Sequence, residues 1–187
     1  EVLRQGHVMA VLGSGAVVPT TTYPEQPGAE EDGLVVDGYT IRDGHHDFTG
    51  DEELNLLTGT EVSCNIWYAL AGLDTGGANL DAFARRLGFR AALPFDLPTA
   101  TSQLTNGGGP LPGGFADDVE LANAAYGQGE VLTTPLQMAL VAAAVAPRAY
   151  RRDRPARRGR TERAEGLVRA RPAAARLISS YCSSRPN

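Results

Sequence analysis

Ala125-Tyr126-Gly127-Gln128-Gly129, followed by Thr134-Pro135-Leu136-Gln137-Met138-Ala139, is the stretch whose reading decides the fold. Gly127 and Gly129 permit a tight turn, because glycine takes positive φ without a steric penalty. Thr134 is a good N-cap, Pro135 suits the first helical position, and Gln137 stands three residues after the cap. That pattern predicts a capping box opening a helix over 135–146. Leu136–Ala146 is apolar nearly all round, which predicts burial. Ahead of the turn, Asp117–Ala125 reads as a short helix with acids in its first turn, favourable with the helix dipole.

Upstream lies Glu61-Val62-Ser63-Cys64-Asn65-Ile66-Trp67-Tyr68, inside the apolar span Leu54–Gly72. The pattern predicts a short helix, a break around Ser63, and a second helix starting near Asn65. Ser63 and Asn65 are good N-caps for that second helix, and a capping role is compatible with a chemical one. Trp67 and Tyr68 read as core or cleft wall. In Leu80–Phe89 the residues Leu80, Phe83, Ala84 and Leu87 share one face, and Gly88 closes the helix. Residues 90–116 read as loop, with Gly107-Gly108-Gly109-Pro110 as its most flexible point. Residues 19–33 read as loop and residues 42–53 as a polar, acidic segment. Leu34–Ile41 holds Asp37-Gly38 between apolar and β-forming residues, a hairpin signal with a type I′ turn. Val8–Leu12 reads as the tail of a helix ended by Gly13-Ser14-Gly15.

Composition sets the outer bounds. The 187 residues suffice for one domain with a real core, or two small ones. Hydrophobic residues are 42% and charged residues 21%, ordinary for a globular chain, and the net charge is −5. No apolar run approaches the roughly 18–20 residues of a membrane helix, and Glu1–Ala10 lacks the pattern of a signal peptide. Cys64 and Cys182 allow at most one bridge and match neither a zinc site nor a disulfide framework. Cys64 has no neighbouring histidine and does not read as a nucleophile. His45-His46 with Asp43 and Asp47 lacks a third ligand at useful spacing, so no metal is expected, and no cofactor is implied. All 17 cationic residues are arginine; the chain has no lysine. P-loop, Schiff-base and Ser/Lys acyl-enzyme mechanisms are thereby excluded for these 187 residues alone.

The charge is divided sharply at Ala146–Pro147. Residues 1–146 carry five arginines against nineteen acids, and residues 147–187 carry twelve arginines against three. Three readings of the basic segment compete, in this order: translation out of frame of GC-rich DNA, a solvated disordered tail, and a basic arm for nucleic acid or anionic lipid. With a net negative chain, nucleic acid is not the expected partner.

The two blocks, in this order and separation, resemble the transpeptidase domain of penicillin-binding proteins. Met9–Thr21 resembles the segment just after the start of that family's nucleophile helix, so the resemblance covers 8–146, with 1–7 outside it and 147–187 as an arginine-rich tail. It implies an α/β (α+β), β-lactamase/transpeptidase-like fold, with mainly the helical part covered and the sheet incomplete. It also implies three motifs: Ser-x-x-Lys, Ser-x-Asn and Lys-Thr-Gly. In the family the first serine attacks a D-alanyl-D-alanine carbonyl, helped by its lysine. The serine of the second motif relays a proton to the leaving group, and its asparagine binds the substrate amide. The third motif holds the substrate carboxylate. Ser63 and Asn65 match the second motif, with Cys64 at the variable position; Gly127, Gln128, Gly129, Thr134 and Pro135 carry over as structural.

The expected partners of the parent protein are peptidoglycan stem peptides, β-lactams and cell-wall synthesis proteins. Its expected place is the extracytoplasmic face of the bacterial plasma membrane. It reads as the monofunctional type, since no glycosyltransferase-like region is present. Where Ser-x-x-Lys is expected, near Leu3–Gly6, the chain reads Leu-Arg-Gln-Gly, and no Lys-Thr-Gly triplet occurs beyond residue 146. This chain as written is therefore expected to form no acyl-enzyme, to be marginally stable and to aggregate. The rival reading is a catalytically dead relative that binds peptidoglycan or a protein partner through the old cleft.

Overall fold

The structure, a computed structural model, describes residues 10–24, 33–44, 53–93 and 95–152, the last nine of them by backbone alone. Four short strands and five helices are named: β1 (Tyr23–Pro24), β2 (Leu34–Val36), β3 (Tyr39–Ile41), β4 (Glu53–Leu54), α1 (Leu56–Glu61), α2 (Asn65–Thr75), α3 (Gly77–Arg86), α4 (Asp118–Ala125) and α5 (Pro135–Arg152). Residues 10–14 are also helical. β1 pairs antiparallel with β4, and β2 with β3, giving two separate two-stranded sheets.

The hairpin forms as its sequence predicts. Val36 faces Tyr39 across the turn, and Asp37 and Gly38 take φ of 44° and 82°. Both signs are those a type I′ turn requires. The β1–β4 pair was not legible, because two residues per strand give no alternation to read. Gly15, not Gly13, supplies the left-handed residue after the helical turn at 10–14; Gly13 lies within the turn.

Two apolar clusters form the core. The first gathers Val36, Ile41, Leu54, Ile66, Trp67, Tyr68 and Tyr126. The second gathers Leu80, Phe83, Phe89, Phe115, Leu121 and Val141. α4 runs between them: Ala122 and the C-cap Tyr126 belong to the first, Leu121 and Ala124 to the second. The α2–α4 contact is the most extensive helix pairing among the described residues. Its small residues, Ala69, Ala71, Ala122 and Ala125, are all fully buried, which lets the two backbones approach closely.

Several expectations are corrected. α3 begins at Gly77, one turn before Leu80, and ends at Arg86 with Leu87 as C-cap. Gly88 follows at φ 96°. Its N–H donates to Arg85 O, and the Phe89 N–H to Ala84 O, the paired bonds of a Schellman motif. α5 does not stop at Ala146 but runs through Pro147 to Arg152, so the change of composition falls inside an element. Pro147 only removes the N–H that would bond the Ala143 carbonyl, and the backbone stays helical on both sides. Nor is α5 buried all round. Gln137 and Val141 are buried, but Pro135, Ala139 and Ala143 are exposed, because only one face meets the second cluster among the described residues.

The 90–116 segment is irregular, as expected; Gly107, Gly108 and Pro110 are exposed, and Gly109 is the tightly placed residue of the 107–110 run. Gly109 donates to Gly114 O at 3.1 Å, and a Cβ on Gly109 would stand 2.2 Å from the Phe115 backbone. Arg90 anchors the segment. Its Nη2 donates to Gly113 O at 2.7 Å, and its Nε stands 2.9 Å from Asp81 Oδ1, an ion pair rather than an aligned hydrogen bond. Arg85 Nε donates to the other Asp81 oxygen at 2.7 Å.

Candidate active site

Ser63 sits between two helix ends. α1 starts from Asn55, whose Oδ1 accepts from Leu57 and Thr58 N–H, while Asn55 N–H donates back to Thr58 Oγ1. At the other end Val62 is the C-cap and Ser63 takes φ 63°. Ser63 N–H donates to Thr60 O at 3.2 Å and Cys64 N–H to Gly59 O at 2.9 Å. These bonds make a second Schellman motif, with serine where glycine is usual. A left-handed conformation costs a residue with a Cβ roughly 1–2 kcal/mol, so the surroundings must hold it.

α2 begins one residue later. Its N-cap is Cys64, whose Sγ accepts from Trp67 N–H at 3.3 Å. The expectation that Ser63 or Asn65 caps the helix is thus corrected: Ser63 closes α1, and Asn65 is already helical. Asn65 Nδ2 donates to Arg42 O at 3.0 Å, just past β3. Both Ser63 and Asn65 are half-buried, whereas Cys64 is buried. Burial pushes the Cys64 thiol up to about 12, with the neighbouring Asp43 carboxylate adding to the shift by hydrogen bond and charge. The thiol is therefore protonated at neutral pH, as the reading of a non-nucleophilic cysteine requires.

A rigid wall backs the motif. Trp67 and Tyr68 are each 1% exposed, core rather than cleft surface. Trp67 meets the Tyr68 and Tyr23 rings edge-on, at centroid distances of 5.2 and 6.1 Å. Tyr68 OH donates to Thr60 Oγ1 at 3.1 Å, tying α2 back to α1. A Cβ on Gly59 would lie 2.6 Å from Trp67 Cγ, so only glycine lets α1 lie this close to the indole. Tyr23 OH donates to Asp74, and burial with that carboxylate raises the phenol's pKa.

The second block is placed by α4. Tyr126 is buried in the same cluster as Cys64, Trp67 and Tyr68, and its hydroxyl donates to Asn123 Oδ1. Gly127 donates to Ala124 O and Gln128 to Asn123 O, which ends the helix. Gly127 and Gly129 take φ of 86° and 68°, and the Gln128 side chain is exposed. Thr134 and Pro135 lie elsewhere, at the start of α5, whose Met138 and Val141 join the second cluster. Thr134 Oγ1 accepts from Gln137 N–H at 3.1 Å, one half of the predicted capping box. The other half is replaced: Thr134 N–H donates to the buried Ser102 Oγ at 3.2 Å, and Gln137 Nε2 reaches Leu87 O at 2.6 Å. Tertiary partners displace the local return bond.

Sequence reading missed Arg42, Asp43, Asn123 and Ser102, which bear directly on the two blocks. No local pattern marks them: Arg42 acts across 23 residues and Ser102 across 32, Asp43 bears on a cysteine far along the sequence, and Asn123 acts through a buried side chain near the end of α4. His45, His46 and Asp47, and Cys182, lie outside the described residues. No group of three or more potential metal ligands occurs among those described.

The sequence model of the penicillin binding protein transpeptidase domain matches residues 6–152. The fold is similar to penicillin-binding protein A from M. tuberculosis. Its penicillin G acyl-enzyme complex matches with a TM-score of 0.62 at 26% identity, over 78% of this chain and 31% of that one. Its imipenem acyl-enzyme complex gives 0.61 at 25%, again over 78% and 31%. A crystal structure described without a β-lactam gives 0.58 at 24%, over 78% and 30%, and bears on the fold alone. The chain thus spans about a third of the length of these structures. The motif-bearing helices, the mixed α/β architecture and the family match agree: the chain belongs to the penicillin-binding protein transpeptidase domain family.

Proposed function

We propose that this chain carries the second motif, and its helical scaffold, of a serine D,D-transpeptidase site. The observation that carries the reading is the conformation of Ser63, a left-handed serine at a position where the backbone favours glycine. In this reading the Ser63 hydroxyl relays a proton towards the leaving amine, and the Asn65 amide donates to the substrate's amide carbonyl. Gly127, Gln128, Gly129, Thr134 and Pro135 support the scaffold. The parent protein cross-links peptidoglycan stem peptides at the extracytoplasmic face of the plasma membrane, alongside other cell-wall synthesis proteins. It is trapped by β-lactams as acyl-enzyme, the state in which the related M. tuberculosis structures are described. Among the described residues no helix is long and apolar enough to cross a membrane.

Acyl transfer in this family needs a lysine beside the nucleophilic serine, and the 187 residues contain none. That observation favours a second reading: a module that binds peptidoglycan or a partner without acylation. Labelling with fluorescent penicillin separates the two. The chain as written is expected to take no covalent label. Suppose a shifted frame at each end yields Ser-x-x-Lys and Lys-Thr-Gly. Its product is then expected to label, and Ser63→Ala to slow labelling by about 100-fold or more. A single intact frame through codon 187, or a Ser63→Ala variant labelling at the parental rate, sinks the transpeptidase reading.

A further inference from the structure

We propose that the β2–β3 hairpin positions the substrate-binding amide of the site: the backbone carbonyl of Arg42, the first residue past β3, fixes how the Asn65 side chain is turned. The inference rests on the reading of Asn65 as the residue that binds the substrate amide, and adds the group that orients it. It starts from the chemistry of a primary amide. The two ends of the group are alike in shape and opposite in hydrogen bonding, since the nitrogen only donates and the oxygen only accepts. A half-turn about the last side-chain bond exchanges them. An asparagine that must offer N–H to a substrate carbonyl therefore needs a neighbour that tells the two ends apart.

The Arg42 carbonyl is such a neighbour. It accepts from Asn65 Nδ2 at 3.0 Å. A carbonyl cannot donate, so the flipped amide would set two acceptors against each other and forfeit the bond. The bond thus sets the amide plane, and with it the direction of the second N–H. The carbonyl is itself held by the core. Ile41, one residue earlier, is 1% exposed and belongs to the same cluster as Ile66 and Trp67 of α2. It pairs with Leu34 at the open end of the hairpin. Gly33 closes that end: it takes φ 69°, and a Cβ on it would collide with the Ile41 carbonyl oxygen. Val36, in the other strand, joins the same cluster, which Ala122 of α4 shares. The Arg42 side chain is exposed, and the contact is made by its backbone alone. Strand, carbonyl and amide form one continuous chain of contacts from core to site.

The test uses the full chain, labelled with ¹³C and ¹⁵N. The direct readout is the scalar coupling that a hydrogen bond transmits between the Asn65 side-chain nitrogen and the Arg42 carbonyl carbon. It is expected in the parent and in Arg42→Ala, which keeps the carbonyl. Gly33→Ala pushes on the end of β3 and is expected to abolish it. Gly38→Ala strains the turn at the far end, where φ is 82° and a Cβ meets nothing within 4 Å. There, hydrogen exchange at the Ile41 backbone amide and the Asn65 side-chain amide is expected to rise together by about threefold or more, while Leu121 and Ala124 stay within about twofold. Absence of the coupling in the parent overturns the proposal. So does its loss in Arg42→Ala, or unchanged Asn65 exchange in a Gly38→Ala chain whose Ile41 exchange has risen. If Gly33→Ala unfolds the chain, the parent coupling and Gly38→Ala decide. Failure of the underlying reading looks different: Asn65→Ala leaves penicillin labelling of the restored-frame product unchanged, while the coupling is still seen in the parent.

Discussion

At the scale of single residues, the motif is held by contacts that tolerate little change. Gly59→Ala places a methyl carbon 2.6 Å from Trp67 Cγ, against a ring that is itself 1% exposed. The variant is expected to lose about 1–3 kcal/mol, read as a drop in denaturant midpoint at unchanged m. Cys64 gives a pH prediction. Its thiol rises from an ordinary value near 9 to about 12 on folding, so the unfolded chain releases that proton first. The raised value contributes stability that is complete below pH 9 and is lost as pH climbs towards 12. Denaturant titrations across that window should show Cys64→Ser losing less stability than the parent. Equal slopes would place the thiol outside this environment. Tyr23, also raised, adds to the alkaline loss in both proteins, and so cancels in the comparison.

At the scale of elements, local chemistry decided where helices begin and long-range partners decided how they are fixed. The break at Ser63, the start of α2 and the Thr134–Pro135 opening of α5 were all legible in short-range patterns, and α4 was legible to within a residue, Asp117 being its N-cap rather than its first helical residue. The far end of α5 was not, since the composition breaks at Pro147 while the helix does not. The loop at 107–110 misled at one residue for a related reason: Gly109, which read as flexibility, sits where backbone passes within contact of backbone, whereas Gly107 and Gly108 take positive φ at exposed positions. The Asn65–Arg42 bond was illegible because the two residues are 23 apart and nothing local marks the carbonyl as an acceptor. Ser102 is the element-scale test. Its hydroxyl accepts from Thr134 N–H, and its own carbonyl accepts from Arg90 N–H at 2.7 Å. Ser102→Ala leaves a part-buried N–H at the start of α5 unpaired. It is expected to cost about 1–3 kcal/mol, with faster amide exchange in the first turn of α5 ahead of the rest.

At the scale of the whole molecule, the two clusters are joined by α4, by Leu73 and by the helical turn at 10–14, where Val11 belongs to the first and Ala10 to the second, and the sheets are two strands each. Apolar side chains remain at the surface, with Leu57 at 73% exposure and Leu132 at 63%. Such a chain is expected to unfold with an enthalpy well below the roughly 0.7 kcal/mol per residue of ordinary domains, and to scatter light on heating. A sharp, reversible calorimetric transition of full enthalpy would contradict this. The fold class was readable at this scale because two blocks of sequence, one on each partner of the α2–α4 pair, are sufficient to name it.

The serine at the end of α1 has a consequence for anyone who tries to improve this protein. Gly88 performs the same task at the end of α3 with no side chain to strain it. Ser63→Gly should therefore raise stability by about 1 kcal/mol, measurable as a higher melting temperature than that of Ser63→Ala. Libraries screened for yield or heat resistance alone will enrich that change early. They will return a better-behaved molecule from which the hydroxyl has been selected away, so a screen on this scaffold must score ligand capture alongside solubility.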